Sequence, residues 1–397
     1  MIIAIVFWVS IFLIVYAYFG YPALVWFFAK FKRKENKKES YEPSVTLLIA
    51  AYNESAAIGK KIENALELDY PREKFQILIT NDGSEDGTDE IVRSFADRGV
   101  EMVSGEKRQG KMMALKRGMN AARGEIIVMS DATNTYSLNT IKALVEPFVD
   151  PSVGIASGAK HVTKGDGVLG SSEGLYWKYE SWIKKEETKL GSCINVTGEI
   201  YAFRKPLFGS PPDSIINDDF YMMMNVLNQG YRVVYTPDAR SWERVSQTAT
   251  DEIERRARIN AGRYQAMAMA SKYLPFDRPL IVWQVISHKF SRPLVPFGMI
   301  LAFIANFFAL IFPAQESSGL LWLSPPWNQI FFGLQIAFYA LALLGNYFNS
   351  GAIGKILYVP RFLVNSNWAA LKGFWRFANR RQTTLWERVQ RREEADV

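Results

Sequence analysis

Charge is distributed along this chain in blocks. Residues 1–29 contain no Asp, Glu, Lys or Arg, and residues 294–350 contain only Glu316, whereas the stretch between them is rich in all four. An uncharged run of about 20 residues is long enough to cross the hydrocarbon of a bilayer. The segregation therefore predicts a water-soluble domain held between membrane segments, and it excludes a fully soluble protein and a chain buried in lipid throughout.

Residues 2–28 form the first uncharged run. It lacks a basic leading segment and its apolar stretch is too long for a signal peptide, so it reads as an uncleaved anchor. Lys30, Lys32, Arg33, Lys34, Lys37 and Lys38 follow it. Such clusters stay on the cytoplasmic side, which places the N-terminus outside. Residues 294–312, with Arg292 at the inner edge, and residues 327–348 are the second and third spans. The loop between them carries Glu316 and no Lys or Arg, and Trp322 and Trp327 stand where an interfacial aromatic belt belongs.

Residues 353–377 mix apolar side chains with Lys355, Pro360, Arg361, Asn365, Asn367 and Lys372. A fourth span here would put Arg376, Arg380 and Arg381 outside, so the expectation is a helix in the inner interface with its basic side chains snorkelling. A second interfacial helix is expected over residues 278–290, anchored by Trp283 and Phe290. The resulting plan is an anchor (1–30), a cytoplasmic domain (41–274), an interfacial helix (275–292), two spans (293–350), and an interfacial helix with a cytoplasmic tail (351–397). The protein is expected in the cell membrane, in contact with its lipids.

The net charge of +7 needs no nucleic acid to explain it. The Lys and Arg excess hugs the membrane-proximal segments, as the topology rule requires. The single cysteine, Cys193, cannot form an intramolecular disulfide, which suits a reducing compartment. With His161 and His288 the only imidazoles, a zinc site is not expected, and Cys193 reads as a small buried side chain.

Between residues 41 and 274 the pattern becomes βαβ. Val45–Ala51, Phe75–Asn81, residues 100–103 and residues 125–130 are short runs, apolar nearly throughout, as buried parallel strands are. Helical patterns over residues 56–66, 89–97 and 111–122 alternate with them. A doubly wound sheet of this kind binds ligands at the carboxyl ends of its strands. Those ends run into Tyr52-Asn53-Glu54, Asn81-Asp82-Gly83-Ser84 and Ser130-Asp131-Ala132-Thr133. Taken singly, Asn81 to Ser84 is good turn chemistry and Asn53 to Ser55 a helix cap; their placement after successive parallel strands points to a site. Gly110-Lys111 before a helix adds a positive charge and a helix N-terminus, a pairing that suits a phosphate, although neither a phosphate-loop nor a dinucleotide fingerprint is present.

Together these residues resemble the family 2 glycosyltransferases, and within them the membrane-embedded synthases of extracellular polysaccharides, including the hyaluronan and cellulose synthase group. The resemblance is carried by residues 45–54, Asn81 to Ser84, Gly110-Lys111 and residues 255–262. It implies an α/β class of GT-A (Rossmann-like) type, a mixed sheet with helices on both faces, with transmembrane and interfacial helices added, and it implies a UDP-sugar donor. Asp82 would contact the base, Tyr52 and Glu54 the nucleoside, and Lys111 the nucleotide. Asp131 matches the first Asp of the Asp-x-Asp motif, which holds Mg2+ or Mn2+ on the diphosphate. The second Asp is replaced by Thr133, and Asn134 is a further candidate ligand. Asn217-Asp218-Asp219 looks like the motif whose last carboxylate is the general base, here Asp219; as plain helix capping it would be a weaker reading. Arg255 and Arg258 match arginines that clamp the diphosphate, Arg256 reads as a solvated helix face, and Ile259 stands where the family has an acceptor-contacting Trp. On the acceptor side Trp177, Tyr179, Trp182 and Glu199 are candidates.

Three functions follow from that resemblance. The first is an inverting transferase that builds an exported polysaccharide or glycan, with a saccharide acceptor and export or synthase partner subunits. The second adds one sugar to a lipid-linked acceptor, favoured by Ile259 and by the small number of spans. The third is a catalytically silent nucleotide-sugar-binding partner of a synthase complex, for which Thr133 and Ile259 speak and the retained acidic and basic residues do not.

Overall fold

The computed structural model describes residues 1–32, 34, 41–163, 167–244, 246, 248–313, 319–348 and 351–383. Arg33, Lys37, Lys38, Glu316, the side chain of Lys355 and the tail 384–397 lie outside the described residues. The chain divides into two compact units, one containing residues 25–247 and 270–281, the other residues 1–24, 248–269 and 282–382.

The first unit is built on an eight-stranded sheet. In chain order its strands are β1 (Val45–Ala51), β2 (Phe75–Asn81), β3 (Val100–Ser104), β4 (Ile126–Asp131), β5 (Thr135–Tyr136), β6 (Val153–Val162), β7 (Ile200–Arg204) and β8 (Arg232–Glu243). Their spatial order is β3-β2-β1-β4-β7-β6-β8-β5. The β3-β2-β1-β4 half is parallel. β7 then runs antiparallel to both β4 and β6, while β8 is parallel to β6. The sheet is thus mixed, as expected.

Every residue of β1 is buried, because both faces of the strand are covered. Leu47 and Ile49 pack with Ile58 and Ile62 of the helix Ser55–Glu67. That helix presents Ile58, Ile62, Ala65 and Leu66 at the spacing of a single buried stripe. On the opposite face Leu48 meets the helix Lys111–Ala121 at Gly118, where a Cβ would lie 2.5 Å from the leucine Cδ1. Each fully buried Ile or Leu here contributes about 1.5–3 kcal/mol.

Differences from the expected elements are local. The helix expected over 89–97 stops at Arg93 and resumes as a 3₁₀ turn at Ala96–Arg98. The helix Asp218–Asn228 takes Asp218 and Asp219 into its first turn.

In the second unit, the helix Ala249–Ala268 starts on a capping box. Asp251 N donates to Thr248 Oγ1, and Thr248 N donates to Asp251 Oδ2, at 3.1 Å each. It packs along the helix Gly351–Ala378, where Glu254 accepts from Lys372 and Arg376. Arg256 is not the solvated face expected of it. Its Nε donates to Glu252 at 2.6 Å and its guanidinium lies 4.9 Å from the Phe362 ring, so the partner helix covers it.

Among the described residues three helices are long and apolar enough to cross a membrane: Ile2–Phe31, Pro279–Ile311 and Trp327–Tyr347. Gly351–Ala378 is not among them. The helix expected over 275–292 is continuous with the span that follows it. Pro279–Gln284 continues through a π turn, Val285–Phe290, into Ser291–Ile311, because that wider turn carries the helix through the region of Pro293 and Pro296 without a break.

Candidate active site

The parallel half of the sheet sets the site. In register, Ala51 pairs with Asn81 and Ala50 with Asp131. The chain segments that follow β1, β2 and β4 therefore leave one edge side by side. The first two are laced together. Asn53, at a φ of 52°, donates its amide to Ser84 Oγ at 2.8 Å, and Asn53 Oδ1 accepts from Glu85 N at 2.9 Å. Glu54 N donates to Thr88 Oγ1 at 2.9 Å and Ser55 N to Asp86 Oδ2 at 3.0 Å. Glu54 is buried and occupies the N-cap position of the helix Ser55–Glu67 without a side-chain capping hydrogen bond. The lacing of this turn to the segment after β2, rather than side-chain capping, is what the turn's polar groups supply.

Asp82 is buried and its carboxylate organises the segment before Lys111. It accepts from Gly110 N at 2.6 Å, from Gln109 N at 3.2 Å and from Arg117 Nη2 at 2.9 Å. Gly83, at a φ of 73°, lets the backbone of Lys107 and Arg108 come within the space a Cβ would need, 2.8 Å from the Lys107 carbonyl carbon. The Arg108 guanidinium lies 4.1 Å from the centroid of the Tyr52 ring. The residues expected to read the nucleoside, Tyr52 and Asp82, thus both touch residues 107–110. Arg108 and Arg117 were not singled out by the sequence; Arg117 lies six residues, not a helical repeat of three or four, beyond Lys111, so no simple spacing announces it.

Gly110 precedes the helix Lys111–Ala121 with a φ of 95°, and Lys111 projects toward two acids. Its Nζ is 3.0 Å from Asp131 Oδ1 and 3.7 Å from Asp218 Oδ2. Asp219 follows, in the first turn of its helix, where an unsatisfied N-terminus favours negative charge. Its Oδ1 accepts from Phe220 N at 2.7 Å. Its Oδ2 faces Gly198, where an added Cβ would lie 3.3 Å away. A continuous set of contacts thus joins Asp82, Gly110-Lys111, Asp131 and Asp218-Asp219, four stretches far apart in sequence.

Behind Asp131 lies a buried polar network. Asn134 Oδ1 accepts from Lys61 Nζ at 2.9 Å and Ser130 Oγ at 3.0 Å, and its Nδ2 donates to the Glu199 carbonyl and to Ser241 Oγ. Ser241 Oγ donates to Glu199 Oε1 at 2.8 Å. Lys160 Nζ donates to both Glu199 and Glu243, and Glu243 Oε1 accepts from Thr133 Oγ1 at 3.0 Å. Both ends of the Asn134 amide and both carboxylate oxygens of Glu199, the candidate on the acceptor side, thus have buried partners in this network.

Burial shifts two groups of this network toward neutrality. It pushes the Lys61 ammonium down to about 7, against the opposing pull of Asp131 and Glu199. It pushes the Glu199 carboxyl up to about 7, with Glu243 adding to the rise and Lys160 opposing it. Lys61 also lies 4.0 Å from the centroid of Tyr136. It falls between Ile58, Ile62 and Ala65 on the buried stripe of its helix.

A divalent cation fits the acids at this edge. The donors are all oxygens, as Mg2+ and Mn2+ prefer, and Asp218 Oδ2 is buried and accepts no hydrogen bond among the described residues. No group of three acidic, His or Cys side chains among the described residues lies close enough to hold an ion unaided. The fit is to a cation shared with a diphosphate. Of the remaining candidates, Trp177 is half-buried with Lys160 Nζ 5.6 Å from its ring. Arg255 and Arg258 belong to the other unit, where Arg255 donates to Glu252 through Nε at 3.0 Å and Nη2 at 2.7 Å.

Comparison with known proteins bears on the family and the fold. Residues 46–208 match the model of glycosyl transferase family 2. The probable glycosyltransferase YdaM of Bacillus subtilis (strain 168) is 26% identical over 303 residues, covering 70% of this chain and 69% of that protein. The poly-beta-1,6-N-acetyl-D-glucosamine synthase of Staphylococcus aureus (strain COL) is 28% identical over 229 residues, 56% of this chain, and the chain spans only 55% of that synthase's length. The solved structure of the mannosyltransferase PcManGT from Pyrobaculum calidifontis, in complex with GDP-Man and Mn2+, covers 94% of this chain and 99% of its own at a TM-score of 0.68 and 24% identity, which speaks to fold. Residues 46–208 thus match a family 2 glycosyltransferase domain, and the sheet has the GT-A fold.

Proposed function

We propose that this chain is a membrane-bound, inverting glycosyltransferase that takes a sugar from a UDP-sugar on the cytoplasmic side and adds it to a growing exported polysaccharide or glycan. The observation that carries the reading is Lys111 beside Asp131 and Asp218, with Asp219 next in line, at the carboxyl edge of the parallel strands. Lys111 and the helix N-terminus behind it offer positive charge to a diphosphate. Tyr52, Glu54 and Asp82 line the nucleoside end.

Asp219 is the base in this reading. Phe220 N holds Oδ1 and so fixes the plane of the carboxylate, while Oδ2 lies over the bare backbone of Gly198. From there it takes the proton of the acceptor hydroxyl as that oxygen attacks the anomeric carbon. The sugar–diphosphate bond breaks on the opposite side, and one displacement inverts the anomeric configuration. Asp131 would hold a Mg2+ or Mn2+, which would supply positive charge to the diphosphate. Lys111 adds fixed charge at the same oxygens.

The experiment is a panel of radiolabelled UDP-sugars, with GDP-mannose alongside, given to membranes carrying the protein, followed by sizing of the product. Incorporation from one UDP-sugar into long chains is the expected result. Incorporation from GDP-mannose alone would overturn the donor. A second reading, single addition to a lipid-linked acceptor, is favoured by Ile259 in place of the acceptor-stacking Trp. It predicts an organic-extractable product one residue longer than its acceptor. A silent binding partner would release no UDP with either metal supplied.

A further inference from the structure

Thr133 stands where the second carboxylate of the Asp-x-Asp pair is expected, and a hydroxyl alone is a poor substitute. Its position is nevertheless built. Ala132 is buried, whereas Asp131 and Thr133 on either side of it keep part of their surface exposed. Thr133 Oγ1 donates to Glu243 Oε1 at 3.0 Å, and Glu243 is buried at the end of β8 with its other oxygen on Lys160.

We infer that Glu243, acting through the Thr133 hydroxyl, supplies the missing second acidic function of the donor site. This rests on the donor site proposed above. A threonine hydroxyl has one proton and two lone pairs. Once the proton is committed to a carboxylate, the oxygen is an acceptor only, and its lone pairs are left for a cation or for water bound to one. The hydrogen bond also shifts electron density onto that oxygen, as carboxylates behind metal-ligating groups do. Lys160 pairs with Glu243 and fixes its orientation, and Glu199 and Ser241 hold Lys160 and its surroundings in place. Glu243 is a positioning residue in this scheme. The acid comes from β8, 110 residues away from Thr133, rather than from the motif itself.

The test measures Mn2+ binding by electron paramagnetic resonance on the full-length protein in detergent, with UDP and in parallel with GDP. Thr133→Val leaves the Glu243–Lys160 pair intact and is expected to weaken Mn2+ binding roughly 10–100-fold. Glu243→Gln is expected to weaken it about 10-fold, since the amide still accepts the hydrogen bond but has lost its charge. Placing an acid at 133 should then rescue: the double variant Thr133→Asp, Glu243→Gln is expected to bind Mn2+ within about threefold of wild type, and better than Thr133→Asp alone, where two acids crowd together. A merely structural Glu243 would give no such rescue. Wild-type-like binding in Thr133→Val, or a double variant no better than Glu243→Gln, overturns this inference alone. A wild-type protein that binds Mn2+ with neither nucleotide overturns it together with the donor site. If Glu243→Gln lowers the melting temperature too far to be purified, Thr133→Val decides.

Discussion

Lys111 Nζ lies 3.0 Å from Asp131 Oδ1, joining the start of a helix to the end of the strand next to β1. Both side chains are about a fifth exposed, so the pair is neither freely solvated nor sealed. A diphosphate entering here would exchange one anionic partner of Lys111 for another. Lys111→Met is therefore expected to weaken UDP binding by roughly 10–100-fold, the worth of a hydrogen bond to a charged group. Isothermal titration of the purified protein measures it, and an unchanged affinity would remove Lys111 from the site.

Asp219→Asn keeps the shape of the side chain and its acceptor toward Phe220 N but removes the basic oxygen. Transfer is expected to fall by about 10²–10⁴-fold, the contribution typical of a general base, while UDP affinity stays within a few-fold of wild type. The split between turnover and binding is the readout. Equal losses in both would mean that Asp219 shapes the donor pocket instead.

How much of this could be read beforehand depended on what covers each strand. β1, β2 and β4 are buried on both faces, so their sequences are apolar runs that announce themselves, and the acids at their ends follow by position. β6 and β8 carry Lys160 and Glu243 at their far ends, where the pairing is long-range and shifts register between Gly158 and Ala159. No local pattern tells a polar side chain there that its partner lies on another strand. Lys61 looks like half of a solvated Lys60-Lys61 pair until its helix is docked. Arg256 looked like surface for the same reason, since the helix that covers it comes more than a hundred residues later.

Gly198 is the residue that gives the Asp219 carboxylate room. A Cβ there would sit 3.3 Å from Oδ2 and 3.5 Å from the Asp219 Cβ, so the acid must move by a few tenths of an ångström. Small misplacements of a base are costly because reaction needs a near-attack geometry. Gly198→Ala is expected to lower kcat about 10-fold with little change in KM for the donor, and Gly198→Val to lower it further. Steady-state kinetics check this, and a change confined to KM would contradict it.

Lys61 and Glu199 give the unit built on the sheet an unusual dependence on pH. Lys61 titrates near 7 in the folded protein against 10.5 when unfolded. Between those values the unfolded chain holds a proton that the folded one lacks, so the contribution of Lys61 to stability rises with pH by about 1.4 kcal/mol per unit. Glu199 titrates near 7 when folded against 4.5. Between 4.5 and 7 the folded protein holds the extra proton, so its contribution falls as pH rises. The two groups together pull stability toward a minimum near neutrality. Lys61→Met leaves Asn134 Oδ1 its bond from Ser130 and removes the buried amine. It is expected to melt above wild type at pH 6 to 7, with the gap shrinking steadily toward pH 9, and to transfer sugar more slowly because positive charge near Asp131 is lost. Glu199→Gln should flatten the acidic limb instead. Melting curves of both variants at pH 5, 7 and 9 decide the matter: a gap between Lys61→Met and wild type that stays constant from pH 7 to pH 9 would mean that Lys61 keeps an ordinary proton affinity in the folded state.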